Sequence, residues 1–227
     1  MRCLYPGEVG FQDDGKTIAF SPKKISKQYA TFKLPCSKCI ECRLEYARQW
    51  AVRCVHESKM HEDNVFVTLT YSEENLKSPK LQYSDYQLFM KRLRDHIFRD
   101  FLKTYGKENW KLLTKQEKKE IYEHKIISTF VTGEYGDKTK RPHWHAIIFN
   151  WSPSDLKYFR KNENGDTIYK SDLLNSLWQH GHNEIGSVTF ESAGYVARYA
   201  AKKLVHGGDD EHEYHPISKK SSRHLLS

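Results

Sequence analysis

Hydrophobic and polar positions follow two periods along this chain, one helical and one of strands. Leu44, Ala47, Ala51, Cys54 and Val55 recur at helix spacing, and Pro35 suits the first turn, so a helix is expected from Pro35 to about His61. Asn64 to Tyr71 (NVFVTLTY) is β-branched and aromatic and reads as a strand. Ser84 opens a second helix reaching about Tyr105, with Leu88, Phe89, Leu93, Ile97, Phe101 and Leu102 on its apolar side. Residues 106–124 are strongly charged and predict a short solvated helix. Lys125–Tyr135 and His143–Asn150 read as strands joined by the turn-like Gly136-Asp137-Lys138-Thr139-Lys140, a β-hairpin. A short helix at Ser171–His180, a strand near Glu184–Phe190 and a helix over Ser192–Leu204 complete the pattern. Residues 1–35 read as irregular. The expected architecture is α+β, a central mainly antiparallel sheet with flanking helices, in one domain over residues 1–205 with a polar, loosely ordered tail over 206–227.

The chain has 227 residues, 38% of them hydrophobic, which is enough to bury a core and argues against global disorder. Thirty-seven Lys and Arg against 29 Asp and Glu leave a net charge of +8, which fits either a polyanionic partner or ordinary surface basicity. No apolar run approaches the ~20 residues that cross a bilayer, and residues 1–20 lack the pattern of a signal peptide. Five cysteines, three of them between Cys36 and Cys42, suit a reducing compartment and a metal site better than a disulfide framework. The expectation is a cytosolic protein with no membrane association.

Candidate chemistry starts at Arg141-Pro142-His143-Trp144-His145, which leads into the apolar run Ala146–Phe149. On a strand His143 and His145 share a face while Trp144 turns to the other, where it reads as core. Glu134, at the end of the preceding strand, lies across the hairpin from His143 and supplies a third ligand. Two imidazoles and one carboxylate leave coordination positions open for a substrate oxygen. The carboxylate tolerates Mg²⁺ or Mn²⁺, whereas the imidazoles alone lean towards Zn²⁺; the alternative is a pair of half-buried structural histidines. His180 and His182 are read as structural.

In the last helix Tyr195 and Tyr199 stand four residues apart, about 6 Å along one face. Arg198 and Lys202 follow each by three residues. A phenol, with a pKa near 10, needs a nearby cation or metal to become a competent nucleophile. The competing picture is a helix that packs two tyrosines into the core and lets its basic residues snorkel. Cys36, Cys39 and Cys42 are spaced C-x₂-C-x₂-C, and Cys3 can return as a fourth ligand. Four thiolates would form a closed structural zinc site; an iron–sulfur cluster, or small packing residues, fit the same spacing. Lys138, Lys140 and Arg141 crowd the hairpin, and Lys203 follows Lys202. With Arg198 they are candidate phosphate contacts.

Three elements stand in order: Phe66-Val67-Thr68-Leu69-Thr70-Tyr71, then His143-Trp144-His145, then the paired tyrosines with Lys202. This order resembles the three-motif signature of HUH endonucleases that initiate rolling-circle replication. More narrowly it is similar to the initiators of small single-stranded DNA phages, the microviruses, and above all their gokushovirus branch. Pro35-Cys36-Ser37-Lys38-Cys39-Ile40-Glu41-Cys42-Arg43-Leu44 and Arg48-Gln49-Trp50-Ala51 are also similar to that branch. The resemblance implies an HUH-like sheet that holds a divalent metal through His143, His145 and an acidic or polar third ligand, matched by Glu134. It implies attack by Tyr195 or Tyr199 on single-stranded origin DNA, a 5′-phosphotyrosine link, a free 3′-OH, and rejoining through the second tyrosine, with Lys202 as the basic residue that follows. It further implies a host helicase and polymerase as partners, action in the cytoplasm of a bacterial host, and a protein that runs on beyond this tail. Two other readings stay open: a zinc-stabilised single-stranded nucleic-acid binder without chemistry, and a metal hydrolase that forms no covalent link.

Overall fold

The computed structural model describes residues 3–136 and 139–202, and of Ala201 and Lys202 only the backbone. Lys138, Lys203 and the tail 206–227 lie outside the described residues. The chain runs β1 (Gly7–Phe11), β2 (Ile18–Ala19), β3 (Phe32–Leu34), α1 (Ile40–Ser58), β4 (Asn64–Tyr71), α2 (Tyr83–Tyr105), α3 (Lys107–Leu112), α4 (Lys115–Tyr122), β5 (Ser128–Tyr135), β6 (Pro142–Phe149), β7 (Lys157–Lys161), β8 (Thr167–Lys170), α5 (Asp172–Trp178), β9 (Gly181–Gly186) and α6 (Phe190–Lys202). Six strands form one antiparallel sheet in the order β5-β6-β4-β9-β8-β7. The α+β expectation is met.

Alternation along β4 splits the core between the two faces of this sheet. Val65, Val67, Leu69 and Tyr71 turn to one face, where Trp144 and Ile148 join them against Tyr86, Phe89 and Leu93 of α2 and Leu174 and Trp178 of α5. On the other face Phe130, Ile147 and Phe149 meet Ala47, Ala51 and Cys54 of α1 and Ala193, Val196 and Ala197 of α6. Small residues on both helices let them approach closely; a Cβ added at Gly194 would lie 3.9 Å from Ala51 Cβ. Glu57 Oε1 accepts a hydrogen bond from Ser128 Oγ at 3.2 Å, and Trp50 stacks on Phe130 at 5.3 Å. These two contacts set α1 antiparallel to β5, so the N-terminus of α1 points to the sheet end that carries Glu134.

Several elements depart from the expectation. Residues 1–35 hold a second, three-stranded sheet in the order β2-β1-β3. Its strands of five, two and three residues are too short for alternation to register. Helix α1 begins at Ile40 instead of Pro35, because Ser37 adopts a left-handed φ of 60° and the chain turns between Cys36 and Cys39. Leu44 and Leu88 are exposed, and the inner stripe of α2 is Tyr86, Phe89, Met90 and Leu93. The charged segment forms two helices rather than one, and Trp110 and Tyr122 pack edge-on against Phe98 and Phe101. β5 starts three residues later than Lys125, behind a turn at Glu123–Lys125 whose carbonyl at His124 accepts from Asn150 Nδ2. The hairpin β7–β8 carried no alternation, its first strand being exposed throughout; its signal was the Asn162–Asp166 turn with Gly165 at φ +87°.

At the end of the sheet, β9 occupies Gly181–Gly186, earlier than Glu184–Phe190, because its register follows β4. α6 starts at Phe190: Thr189 and Ser192 exchange side-chain to backbone hydrogen bonds of 2.9 and 3.1 Å, so Thr189 rather than Ser192 ends the preceding loop. Among the described residues no helix is long and apolar enough to cross a membrane.

Candidate active site

β6 lies between β5 and β4, so its two histidines each have two cross-strand neighbours. The register aligns Glu134, His143 and Thr70 in one row and Thr132, His145 and Thr68 in the next. Period-two alternation sends these side chains to the α1/α6 face, while Trp144 is fully buried on the opposite face. Gly133 is required beneath it, since a Cβ there would fall 2.9 Å from the Trp144 ring and 2.6 Å from Leu81 Cδ1.

Three groups converge on one carboxylate oxygen. Glu134 Oε2 lies 3.2 Å from His145 Nε2 and 3.6 Å from His143 Nε2, and it accepts from Tyr195 Oη at 3.2 Å. The donor atoms of Glu134, His143 and His145 all fall within 4.8 Å of one another. The far nitrogens of the rings are held as well. His143 Nδ1 lies 3.2 Å from the Arg141 carbonyl, which can only accept, so the proton sits on Nδ1 and Nε2 presents its lone pair. His145 Nδ1 meets Thr68 Oγ1 at 3.0 Å, and Phe66 stacks on the ring at 5.8 Å. Two oriented imidazole Nε2 atoms with a carboxylate form a donor set for a divalent cation. The residues therefore fit a metal.

Electrostatics favour an anionic Glu134. Burial pushes its carboxyl up, but hydrogen bonding from His143, His145 and Tyr199 outweighs that and holds it well below the usual carboxylate range. Tyr195 is driven the other way: burial first, then the Glu134 charge, raise its phenol above the ordinary range. Without a cation beside Glu134 the phenol stays protonated. This alters the expectation that Arg198 would stabilise the phenolate. Arg198 is exposed, and its guanidinium lies back over Gly194.

Tyr195 and Tyr199 stand with ring centroids 4.8 Å apart, and Tyr195 meets the His145 ring edge-on at 5.0 Å. Both phenols thus belong to the site instead of the apolar core. Arg141 does not point freely outward: its guanidinium is paired with Glu73 and donates to the Tyr71 carbonyl at 2.8 Å. Lys140 is exposed at the hairpin turn with φ 51°. Lys138, Lys203 and the side chain of Lys202 lie outside the described residues. Sequence reasoning placed Thr68 on this face but missed its contact with His145, and Glu73 carried no signal at all. His180 and His182 stay apart from the site; His180 lies 4.0 Å from Asp85 on the α2 side.

The second candidate cluster lies at the start of α1. Cys36 and Cys39 precede the helix, Cys42 sits in its first turn, and Cys3 returns from before β1. All four sulfurs fall within 4.8 Å of one another, with Cys3–Cys39 at 3.9 Å and Cys36–Cys42 at 4.0 Å. All are free thiols, and none is a core residue, whereas Cys54 is buried as expected. The backbone N–H groups of Cys36 and Cys39 donate to the sulfurs of Cys3 and Cys36 at 3.2 and 3.3 Å. Backbone N–H groups of Cys42 and Leu4 lower the Cys39 thiol to about 6, and those of Cys39 and Lys38 lower Cys36. Burial, joined by its neighbouring thiols, pushes Cys42 up to about 12. Four convergent sulfurs with N–H support suit a closed thiolate site.

Comparison with known proteins places these elements in a family. The chain is 49% identical over 226 residues to the "Replication-associated protein VP4" of Bdellovibrio phage phiMH2K, covering all of this chain and 66% of that protein. It is 35% identical over 201 residues to the "Replication-associated protein ORF4" of Chlamydia phage 1, covering 87% of this chain and 43% of the relative. With the "Replication-associated protein ORF2" of Spiroplasma virus 4 it shares 31% over 219 residues, 90% of this chain and 62% of the relative. The chain thus spans between 43% and 66% of these relatives' own lengths. No solved structure matches. Residues 64–204 match the family model for replication-associated proteins of the ORF2 type. That stretch contains the strands and the helix that build the Glu134, His143, His145 and Tyr195 cluster, and the chain belongs to this microvirus-like family of replication-associated proteins.

Proposed function

We propose that this protein initiates phage DNA replication as a metal-dependent endonuclease that nicks and rejoins single-stranded origin DNA through a 5′-phosphotyrosine. The observation that carries the reading is the convergence of His143, His145 and Tyr195 on Glu134 Oε2. Mg²⁺ or Mn²⁺ held by His143, His145 and Glu134 would supply Lewis-acid polarisation of the scissile phosphate. The Thr68 hydroxyl and the Arg141 carbonyl keep the imidazoles turned inward, and Glu134 holds the Tyr195 phenol at the same point. In the cut, a bond forms between a tyrosine Oη and phosphorus as the bond from phosphorus to O3′ breaks. The phenol loses its proton and O3′ gains one, so no water is consumed. The resulting 3′-OH primes synthesis by a host polymerase, with a host helicase opening the duplex, in the cytoplasm of the bacterial host. Tyr199, one helical turn on, offers a second phenol for the newly made origin. Lys138, Lys140, Arg198, Lys202 and Lys203 contribute phosphate contacts, and the four cysteines hold a structural Zn²⁺.

The test is incubation with origin-like single-stranded oligonucleotides and Mn²⁺ or Mg²⁺, followed by a denaturing gel. A protein band shifted by covalent DNA, weakened in each single variant Tyr195→Phe and Tyr199→Phe and lost in the double variant, is expected. Cleavage without an adduct would leave a water-using hydrolase. Binding without cleavage would leave a passive single-strand binder.

A further inference from the structure

From Gly15 to Ile40 the chain carries six lysines, Lys16, Lys23, Lys24, Lys27, Lys33 and Lys38, and no Asp or Glu. All six are exposed, and none is in an ion pair among the described residues. Elsewhere the basic groups are largely spoken for: Arg48 pairs with Glu45, Arg141 with Glu73, Lys157 with Asp172 and Arg160 with Glu184. Nearby acids are few and mostly engaged. Asp14 caps the β1–β2 turn through Thr17, and Glu8, opposite Lys33, accepts from Thr31 Oγ1 at 2.7 Å. An uncompensated cluster of this kind is stabilised by an anionic partner.

Large rings stand among these lysines without cover. Phe20 is 74% exposed and directly precedes the turn of Pro22–Lys24; Tyr5 is 73% exposed beside Cys3. Phe11 packs against Tyr29 and Phe32 and forms a support beneath this surface. The small sheet buries little else, Val9, Ala19 and Ser26 being its buried residues. Its shape therefore depends on the convergence of Cys3, Cys36, Cys39 and Cys42 at the N-terminus of α1, the end of the sheet that also carries Glu134. Ammonium groups spaced between exposed rings meet two demands of a single strand, phosphate neutralisation and a stacking platform for unpaired bases.

We infer that the N-terminal cysteine-tied module is a second single-stranded DNA site, which grips the strand beyond the segment held at the His143–His145 cluster. Lys23, Lys24 and Lys27 take phosphates and Phe20 stacks a base. The site stands apart from the proposed nicking chemistry and shares with it only the single-stranded partner.

The experiment uses the full chain carrying His143→Ala and His145→Ala, so that binding is read without cleavage. Fluorescence anisotropy with a labelled oligonucleotide of about 30 nucleotides, enough to span more than one site, is compared before and after Lys23→Ala/Lys24→Ala/Lys27→Ala and, separately, Phe20→Ala. The triple variant is expected to lose at least about tenfold in affinity at low salt and to lower the slope of log K against log salt by roughly 2, near 0.7 per lost phosphate contact. Phe20→Ala should weaken binding about tenfold with the slope unchanged. Unchanged thermal midpoint and bound zinc show that the module has kept its shape. Unaltered affinity in both variants overturns the inference. So does equal loss on blunt duplex DNA, which makes the partner a duplex, or loss of self-association with oligonucleotide binding intact, which makes it a second copy. If these variants behave as expected while the chain with His143 and His145 restored forms no covalent adduct, the second site stands and the nicking reaction falls.

Discussion

Two clusters of metal-ligating side chains stand at the same end of this molecule, and they are assembled by opposite means. Glu134, His143 and His145 are neighbours through strand register, anchored in a core of Trp144, Leu69 and Phe149 that exists without them. Cys3, Cys36, Cys39 and Cys42 come from a turn, a helix start and a chain end around a sheet with three buried residues. The donors differ in kind as well: a carboxylate and imidazoles leave coordination open for a substrate, whereas four thiolates close a site. The first cluster borrows its geometry from the fold, and the second supplies geometry to a segment that has little else.

That difference can be broken by substitution. The largest effect is expected from His143→Ala with His145→Ala: cleavage of origin-like oligonucleotides should fall by on the order of a thousandfold or more, while the thermal midpoint of the chain shifts little. Full activity in that variant would sink the metal assignment. Cys39→Ser should do the reverse, removing the bound zinc measured by elemental analysis. It should cost the N-terminal module about 2–5 kcal/mol, by analogy with the loss of a covalent tie. Unchanged proteolysis of residues 3–40 would show that no metal supports them.

Smaller changes sharpen the contrast within the sheet. Gly133→Ala places a methyl group against Trp144 and Leu81 and is expected to destabilise the whole domain by about 1–3 kcal/mol in denaturant melts. A neutral result would mean that Leu81 yields without cost. Thr68→Val removes the hydroxyl beside His145 Nδ1, and Mn²⁺ affinity measured by calorimetry should drop about tenfold with stability nearly unchanged. Equal affinity would show that Phe66 alone orients the ring.

Much of the large sheet and its site was legible in the chain. Asn64–Tyr71 alternates over eight residues, so its strand and its inward face were both readable, and the observed β4 has those bounds. The His143-Trp144-His145 run and Glu134 across a hairpin defined their own juxtaposition, since register follows from a short turn. Tyr195 and Tyr199 shared a face by helix spacing, but the direction of that face was open: two tyrosines four apart fit a core equally well. Thr68 was visible as a strand residue, yet its partner lies 77 positions away, and nothing local in the sequence marks a hydrogen bond of that kind.

The sequence by itself determined what repetition and spacing can encode: an antiparallel α+β core, two histidines on one face, a carboxylate opposite them, and cysteines close enough to meet. Only the tertiary structure decided which oxygen those groups share, that Tyr195 faces an anion when the cation is not there to balance it, and that Arg141 is held by Glu73. It also decided that the lysine-rich N-terminus is a folded module. Local patterns carry faces and periods because those repeat every two or 3.6 residues. Ion pairs, orientations and pKa shifts depend on groups far apart in sequence, and only packing brings those together.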